Sequence, residues 1–266
     1  KDRTDFPNPS LFGLSLNATP RPWLEIGLHR WMLFRGKGST DAGFKYFITD
    51  FFFRLGTPKN RSAINNASEL DIRFRLPYAG GMHLYANVYW EDSNILDNFP
   101  FLPHKFERDT ASMFGMSIPN LLVKGRLGLQ AEHVRTTLIT YRHSRYNSGF
   151  TFKRRLFGHD LGPSGQGGYI RLKSTINHFF GLILSTAIER RGDEVTNTPM
   201  LNNLRADPGH ATGEWRYRFI PGFCWDLTSS QRLTGQIGYE RVKSFSFSKN
   251  AYQHNAFFEF GIKMGF

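Results

Sequence analysis

The sequence predicts an all-β fold: a transmembrane antiparallel β-barrel of the bacterial outer-membrane type, with about 11–12 strands in this chain. Three observations predict it. The composition is aromatic and glycine-rich yet polar on average. Apolar and polar residues alternate in segment after segment. The connections between those segments alternate short and long.

The 266 residues include 26 Phe, 10 Tyr and 26 Gly, yet only 40% are hydrophobic and the mean hydropathy is −0.41. A barrel strand shows alternate residues to lipid and lumen, so its average stays low. No apolar run approaches the roughly 18 residues of a membrane-spanning helix. The single cysteine, Cys224, excludes a disulfide scaffold and any multi-cysteine zinc or iron–sulfur site, and is read as a small packing residue. Lys plus Arg is 34 against 22 Asp plus Glu, and this net charge of +12 favours an anionic partner. No signal peptide is visible at Lys1, so the expectation is a mature chain or one whose start is missing.

Strands are expected at 10–17, 22–34, 67–77, 82–91, 110–118, 121–134, 168–175, 179–189, 213–225, 230–243 and 254–266. Leu24, Ile26 and Leu28 oppose Glu25, Gly27 and His29. Leu70, Ile72, Phe74 and Leu76 oppose Glu69, Asp71, Arg73 and Arg75. Val123, Leu127, Leu129 and Ala131 oppose Lys124, Arg126, Gln130 and Glu132. Trp215, Tyr217 and Phe219 oppose Glu214, Arg216 and Arg218, and Leu233, Ile237 and Tyr239 oppose Arg232, Thr234, Gln236 and Glu240. At the end, Phe258, Phe260, Ile262, Met264 and Phe266 share one face. Period two is the signature of a strand with two unlike faces. The charges Glu69, Asp71, Arg73, Arg75, Lys124, Arg126, Glu132, Glu214, Arg216, Arg218, Arg232 and Glu240 are expected in the lumen, where opposite signs can pair across strands.

Short connections are expected at 18–21, 78–81, 119–120, 176–178 and 226–229, and long ones at 35–66, 92–109, 135–167, 190–212 and 244–253. Outer-membrane barrels have short periplasmic turns and longer extracellular loops. With Phe266 and the C-terminus periplasmic, every long connection falls outside the cell. This is a single β-barrel domain over 1–266 in the outer membrane of a Gram-negative bacterium, with 35–66 and 135–167 as long extracellular loops. The odd strand count implies at least one further strand, upstream or from another chain, since lipid does not tolerate open sheet edges.

Within loop 35–66, Phe44, Phe47, Ile48, Phe51, Phe52 and Leu55 follow helical spacing, so a short helix at 43–55 is expected to fold into the barrel mouth. Loop 135–167 interleaves cations and rings. Arg142, His143, Arg145, Tyr146, Lys153, Arg154, Arg155 and His159 are the expected polysaccharide-binding residues. Cations meet carboxylates or phosphates, and rings stack on sugar faces. Nucleic acid satisfies the same physics but is not the expected partner.

These segments carry a resemblance. Arg21-Pro-Trp-Leu-Glu-Ile-Gly-Leu-His-Arg30, then Gly36-Lys-Gly38, resembles the Wzi-type capsule assembly family. So do Leu84-Tyr-Ala-Asn-Val-Tyr-Trp-Glu-Asp92 and Glu214-Trp-Arg-Tyr-Arg218. Tyr141-Arg-His-Ser-Arg-Tyr146, Gly149-Phe-Thr-Phe and Leu156-Phe-Gly-His-Asp-Leu-Gly162 are similar to its Tyr-x-His-x-x-Tyr and Gly-His elements. The sequence departs from the family at Trp90, where a Gly is usual, and at Pro163-Ser164-Gly165, which replaces a more acidic stretch. The resemblance implies an outer-membrane barrel of about 18 strands that holds capsular polysaccharide at the cell surface. This chain corresponds to roughly the C-terminal part of such a protein.

No catalytic constellation stands out. Ser144, His143 and Asp160 share a loop but lack a nucleophile elbow, and Glu91 and Asp92 point to opposite faces of a strand. The nine histidines show no HExxH spacing. The expected role is a non-enzymatic, lectin-like surface protein that binds acidic capsular or exopolysaccharide, with no cofactor and no metal. Its surroundings are outer-membrane lipid and lipopolysaccharide, and a protein partner in an envelope assembly is admitted. A porin-like, anion-selective channel and a structural barrel subunit remain alternatives.

Overall fold

The computed structural model describes residues 10–34, 65–91, 110–121, 125–137, 140–141, 151–152, 155–156, 158–192 and 213–264. Eleven strands form one sheet: β1 (Ser10–Arg21), β2 (Leu24–Phe34), β3 (Asn65–Leu76), β4 (Met82–Glu91), β5 (Thr110–Ile118), β6 (Leu127–Thr136), β9 (Gly165–Thr175), β10 (Phe180–Arg191), β11 (Glu214–Asp226), β12 (Gln231–Lys243) and β13 (Tyr252–Met264). Neighbours in sequence are neighbours in the sheet, and every pair is antiparallel. A two-stranded hairpin, β7 (Thr151–Phe152) with β8 (Arg155–Leu156), stands apart within the connection from β6 to β9.

The register divides the side chains into two faces. Gly27 is opposite Asp71, Asp71 opposite Asn87, Asn87 opposite Met113 and Met113 opposite Val134. Directly opposed residues share a face, so this row, continued through Gly167, Glu189, Arg216, Val242 and Gln253, fixes the face of every other residue. The polar face holds Glu69, Asp71, Arg73, Arg75, Glu132, Glu214, Arg216, Arg218, Arg232 and Glu240 together. The opposite face holds Leu16, Leu28, Phe74, Phe114, Ile170, Leu182, Ile237 and Phe258.

Among the described residues nothing covers that apolar face: Ile237 is 59% exposed and Phe258 70%. Among the described residues, every large apolar strand side chain that is exposed lies there, except Leu11 and Phe257. A patch spanning eleven strands cannot face water. Rings border it at both ends, with Trp23, Phe179 and Trp225 near the short turns and Trp215, Tyr217 and Tyr252 near the long connections. From Trp215 to Trp225 the strand advances ten residues; at about 3.3 Å per residue and about 40° tilt this is about 25 Å, the height of an outer-membrane apolar band.

Several boundaries differ from expectation. β1 runs on to Arg21, leaving Pro22-Trp23 as the turn, because a register shift between Ala18 and Arg21 accommodates Pro20, which cannot donate to the ladder. β6 begins at Leu127, not 121. Gly125 has φ +64, which breaks the strand, so Arg126 precedes β6 rather than lining it. β9 begins at Gly165, and β13 at Tyr252 after a 3-10 turn at Phe245–Phe247. The helix expected at 43–55, Val123, Lys124 and Phe266 lie outside the described residues. Among those residues β1 pairs only with β2, and β13 only with β12.

Candidate functional site

On the polar face, at the end of the strands where the long connections emerge, small residues and rings alternate. Ala67 and Ala111 leave space above the sheet, and Trp31 and Tyr89 fill part of it. Directly opposed pairs place Trp31 beside Ala67 and Tyr89 beside Glu69 and Ala111. Sheet packing thus builds a ring row: His29 stacks on Trp31 with centroids 6.0 Å apart, and Trp31 meets Tyr89 at 6.3 Å. A fourth ring, Tyr141, comes down from the β6–β9 connection to within 5.4 Å of Tyr89.

The two roots of that connection are tied together. The Thr136 hydroxyl donates to the Gly162 carbonyl at 2.6 Å and accepts from the Gly165 N–H at 3.0 Å. The Ser164 N–H donates to the Thr137 carbonyl at 2.9 Å, and the Leu161 side chain is buried. Tyr141 is held with φ +65, a conformation non-glycine residues rarely adopt. Its ring lies on Gly158, where an added Cβ would come 2.4 Å from it. The His159 N–H donates to the Tyr141 hydroxyl at 3.2 Å.

Between these rings is a cavity of about 470 Å³, lined by Trp31, Glu69, Asn87, Tyr89, Tyr141 and His159, with Met113, Val134 and Arg135 completing the wall. The Asn87 amide donates to the Glu69 carboxylate. Its volume and its mixture of rings with a few polar groups are those of a small-ligand site. A pyranose offers an apolar C–H face to rings and hydroxyls to a carboxylate and an amide.

His159 separates this cavity from a second one of about 270 Å³, lined by Glu132, Tyr169, Arg171 and Arg218 among others. Its ring lies 5.4 Å from that of Tyr169. The Leu161 N–H donates to its Nδ1 at 3.1 Å, which makes Nδ1 an acceptor and puts the proton of the neutral ring on Nε2. Burial lowers its pKa, with Arg191 and Arg218 acting in the same sense and Asp160 and Glu132 opposing.

The charges expected in the lumen form pairs around these cavities. Glu189 is fully buried between Arg218 and Arg191, the latter at 2.8 Å, and accepts from the Tyr169 hydroxyl at 3.1 Å. Arg216 meets Glu214 at 2.7 Å, Arg218 meets Glu240 at 3.6 Å, and Arg75 meets Glu25 at 2.8 Å. The Tyr85 hydroxyl donates to Glu132 at 2.5 Å. Arg232 pairs with Asp226 near the short turns.

Asp71, His29 and Ser15 also form a chain, with Ser15 Oγ 2.6 Å from His29 Nδ1. This order resembles a nucleophile relay, but Ser15 sits mid-strand, where the adjoining N–H groups of β2 serve the ladder rather than an oxyanion. Its visible effect is to fix His29 against Trp31. Among the described residues no group of three or more His, Cys, Asp or Glu side chains could hold a metal ion.

Of the residues expected to bind polysaccharide, His159 reaches the cavity. Arg142, His143, Arg145, Tyr146, Lys153 and Arg154 lie outside the described residues, and Arg155 is placed in β8 by its backbone alone. Glu69 was expected as a lumen charge and proves to line the cavity. Trp31, Asn87, Tyr89 and Tyr141 were not expected as site residues. For Trp31 and Tyr89 the signal available was a ring on the polar phase of an alternating strand, where polar residues are the rule.

A family model described as capsule assembly protein Wzi matches residues 1–257. Among solved structures, the Escherichia coli Wzi protein, described as an outer membrane protein involved in group 1 capsule assembly and a carbohydrate-binding β-barrel, superposes with a TM-score of 0.68 at 17% identity. The match covers 97% of this chain and 52% of that one, so this chain spans about half its length. At that identity the likeness establishes the barrel fold. An outer membrane channel from Pseudomonas putida F1 aligns over 96% of this chain and 82% of that one at 10% identity and a TM-score of 0.38, too distant to carry an argument. No curated protein matches the sequence.

Proposed function

The chain belongs to the capsule assembly protein Wzi family and has the fold of an outer-membrane β-barrel; from that premise we propose that it binds acidic capsular polysaccharide at the surface of a Gram-negative cell and so supports capsule assembly. Residues 1–266 form a single barrel domain, with the C-terminus periplasmic and loops 35–66 and 135–167 outside. The polar face lines the lumen, and Glu69, Asp71, Arg73, Arg75, Glu132, Glu214, Arg216, Arg218, Arg232 and Glu240 are lumen charges. The role is binding rather than catalysis.

One observation carries this reading: a cavity of about 470 Å³ at the loop end of the polar face, walled by Trp31, Tyr89 and Tyr141 and floored by Glu69 and Asn87. The rings take the apolar face of one sugar, and the carboxylate and amide take its hydroxyls. Arg142, Arg145, Lys153, Arg154 and Arg155 in the same connection supply cations for the polymer's acidic groups, and His143, Tyr146 and His159 extend the surface. Lipopolysaccharide and phospholipid surround the outer face.

The test is capsule retention. Cells lacking the protein are complemented with the wild type or with Trp31→Ala/Tyr141→Ala, and polymer is measured on the cells and in the medium. The proposal expects the variant to release polymer that the wild type retains, at equal barrel levels in the outer membrane. Equal retention by both would remove the cavity from the function.

A further inference from the structure

The apolar face carries a charge asymmetry that capsule binding does not use. Among strand residues whose side chains are described, every carboxylate lies on the polar face: Glu25, Glu69, Asp71, Glu132, Glu189, Glu214, Asp226, Glu240 and Glu259. The apolar face has ionised groups of one sign only, the cations Arg21, Arg30, Arg135, Arg190, Arg241 and Lys243. All but Arg21, which borders the short β1–β2 turn, stand at the long-connection end of their strands. Among the described strand residues this face therefore offers no carboxylate to an exposed cation.

At one place this rim meets a groove. A cavity of about 620 Å³ opens on the apolar face of β10–β12, lined by Ile188, Tyr217, Phe219 and Tyr239 and headed by Arg241 and Lys243. The four apolar and aromatic walls are 40–52% exposed. Arg241 and Lys243 are both exposed, and neither is paired with a carboxylate among the described residues. The Arg241 guanidinium stands over the Tyr252 ring, 5.6 Å from its centroid, which holds it upright at the rim. Two residues apart on one strand face, the two cations are about 7 Å from each other along the strand. The Tyr239 hydroxyl is engaged with His254 Nδ1 at 2.6 Å, so its ring presents a plain apolar wall.

We propose that this groove binds the phosphorylated glycolipid of the outer leaflet, lipid A, with an acyl chain along Ile188, Tyr217, Phe219 and Tyr239 and phosphate on Arg241 and Lys243. This rests on the outer-membrane placement argued above. The chemistry selects an anionic head above an acyl chain. The position selects the outer leaflet, because the cations stand at the end from which the long connections emerge. An aromatic girdle alone explains the rings, but not the one-signed cations heading a groove.

The experiment uses the full chain, purified in detergent, titrated with diphosphorylated lipid A, with lipid A stripped of its phosphates, and with phosphatidylethanolamine, by native mass spectrometry. The wild type is expected to bind the diphosphorylated form about tenfold more tightly than either other lipid, and Arg241→Gln/Lys243→Gln to lose that preference. Lys263→Gln, on the polar face, is expected to keep it. Equal binding of all three lipids by the wild type overturns the proposal whatever the variants do, as does a double variant that binds like the wild type. Incorporation into phosphatidylethanolamine–phosphatidylglycerol vesicles is measured in parallel. A chain that fails to incorporate refutes the membrane placement, whereas one that incorporates without preferring lipid A refutes this site alone.

Discussion

Gly158 is the position where one methyl group separates cavity geometry from sheet stability. A Cβ there would lie 2.4, 2.5 and 2.8 Å from the Cζ, Cε1 and Cε2 atoms of Tyr141, about 1 Å inside ordinary contact. The ring must leave, since its backbone is already in the left-handed region at φ +65 and the connection roots on either side are tied. Leaving breaks the contact with Tyr89 and the bond from the His159 N–H. These losses are about 0.5–1.5 kcal/mol each, and overpacking adds about 1–3 kcal/mol. Gly158→Ala is therefore expected to weaken binding of a capsule-derived oligosaccharide by about tenfold or more, measured by calorimetric titration in detergent. The matched control is Gly168→Ala, ten residues on, where an added Cβ meets nothing within 4 Å. It is expected to bind as the wild type does. If Gly158→Ala also binds like the wild type, Tyr141 is no part of the sugar site.

Other consequences follow from the same geometry. Glu189→Gln removes the buried charge shared by Arg218 and Arg191 and is expected to cost about 3–5 kcal/mol in denaturant unfolding, whereas Asp226→Asn, in an exposed pair, leaves the midpoint unchanged. Burial lowers the His159 pKa from 6.5, so the folded chain takes up that proton only at lower pH than the unfolded chain. Docking of the 158–164 root is then at full strength above about pH 6.5 and weakens as pH falls, which amide protection at Leu161 and Gly162 reports and His159→Gln abolishes. Ile237→Arg, mid-strand on the apolar face, is expected to lower folding stability in vesicles by about 2–4 kcal/mol, while Gln236→Arg on the polar face is tolerated.

The sheet was largely legible in the sequence because a two-faced environment writes a period of two. Glu69 to Leu76 alternates without a break, and it lies in β3 with its charges on one face and its apolar residues on the other. Legibility failed where one residue changed the backbone. A strand was expected from 121, but Gly125 takes φ +64 and β6 begins only at Leu127, after Arg126. The cavity was harder for a different reason: it joins β2, β3, β4, β5 and β6 with the connection that follows β6, and no local spacing records that meeting. Trp31 and Tyr89 also read as ordinary strand formers. Only the register shows that they stand beside Ala67 and Ala111. The resemblance runs through Tyr141 and Gly158-His159, residues that hold each other in place beside the cavity.

The most direct measurement is binding of the detergent-purified chain to the producing cell's own acidic polysaccharide, at low and high salt. It is run on the wild type, on Trp31→Ala/Tyr141→Ala, and on a variant with Arg142, Arg145, Lys153, Arg154 and Arg155 replaced by Ser. Binding by the wild type that weakens with salt, is lost in the ring variant and loses its salt dependence in the Ser variant is the expected result. No binding by the wild type at either salt would contradict polysaccharide capture by this barrel.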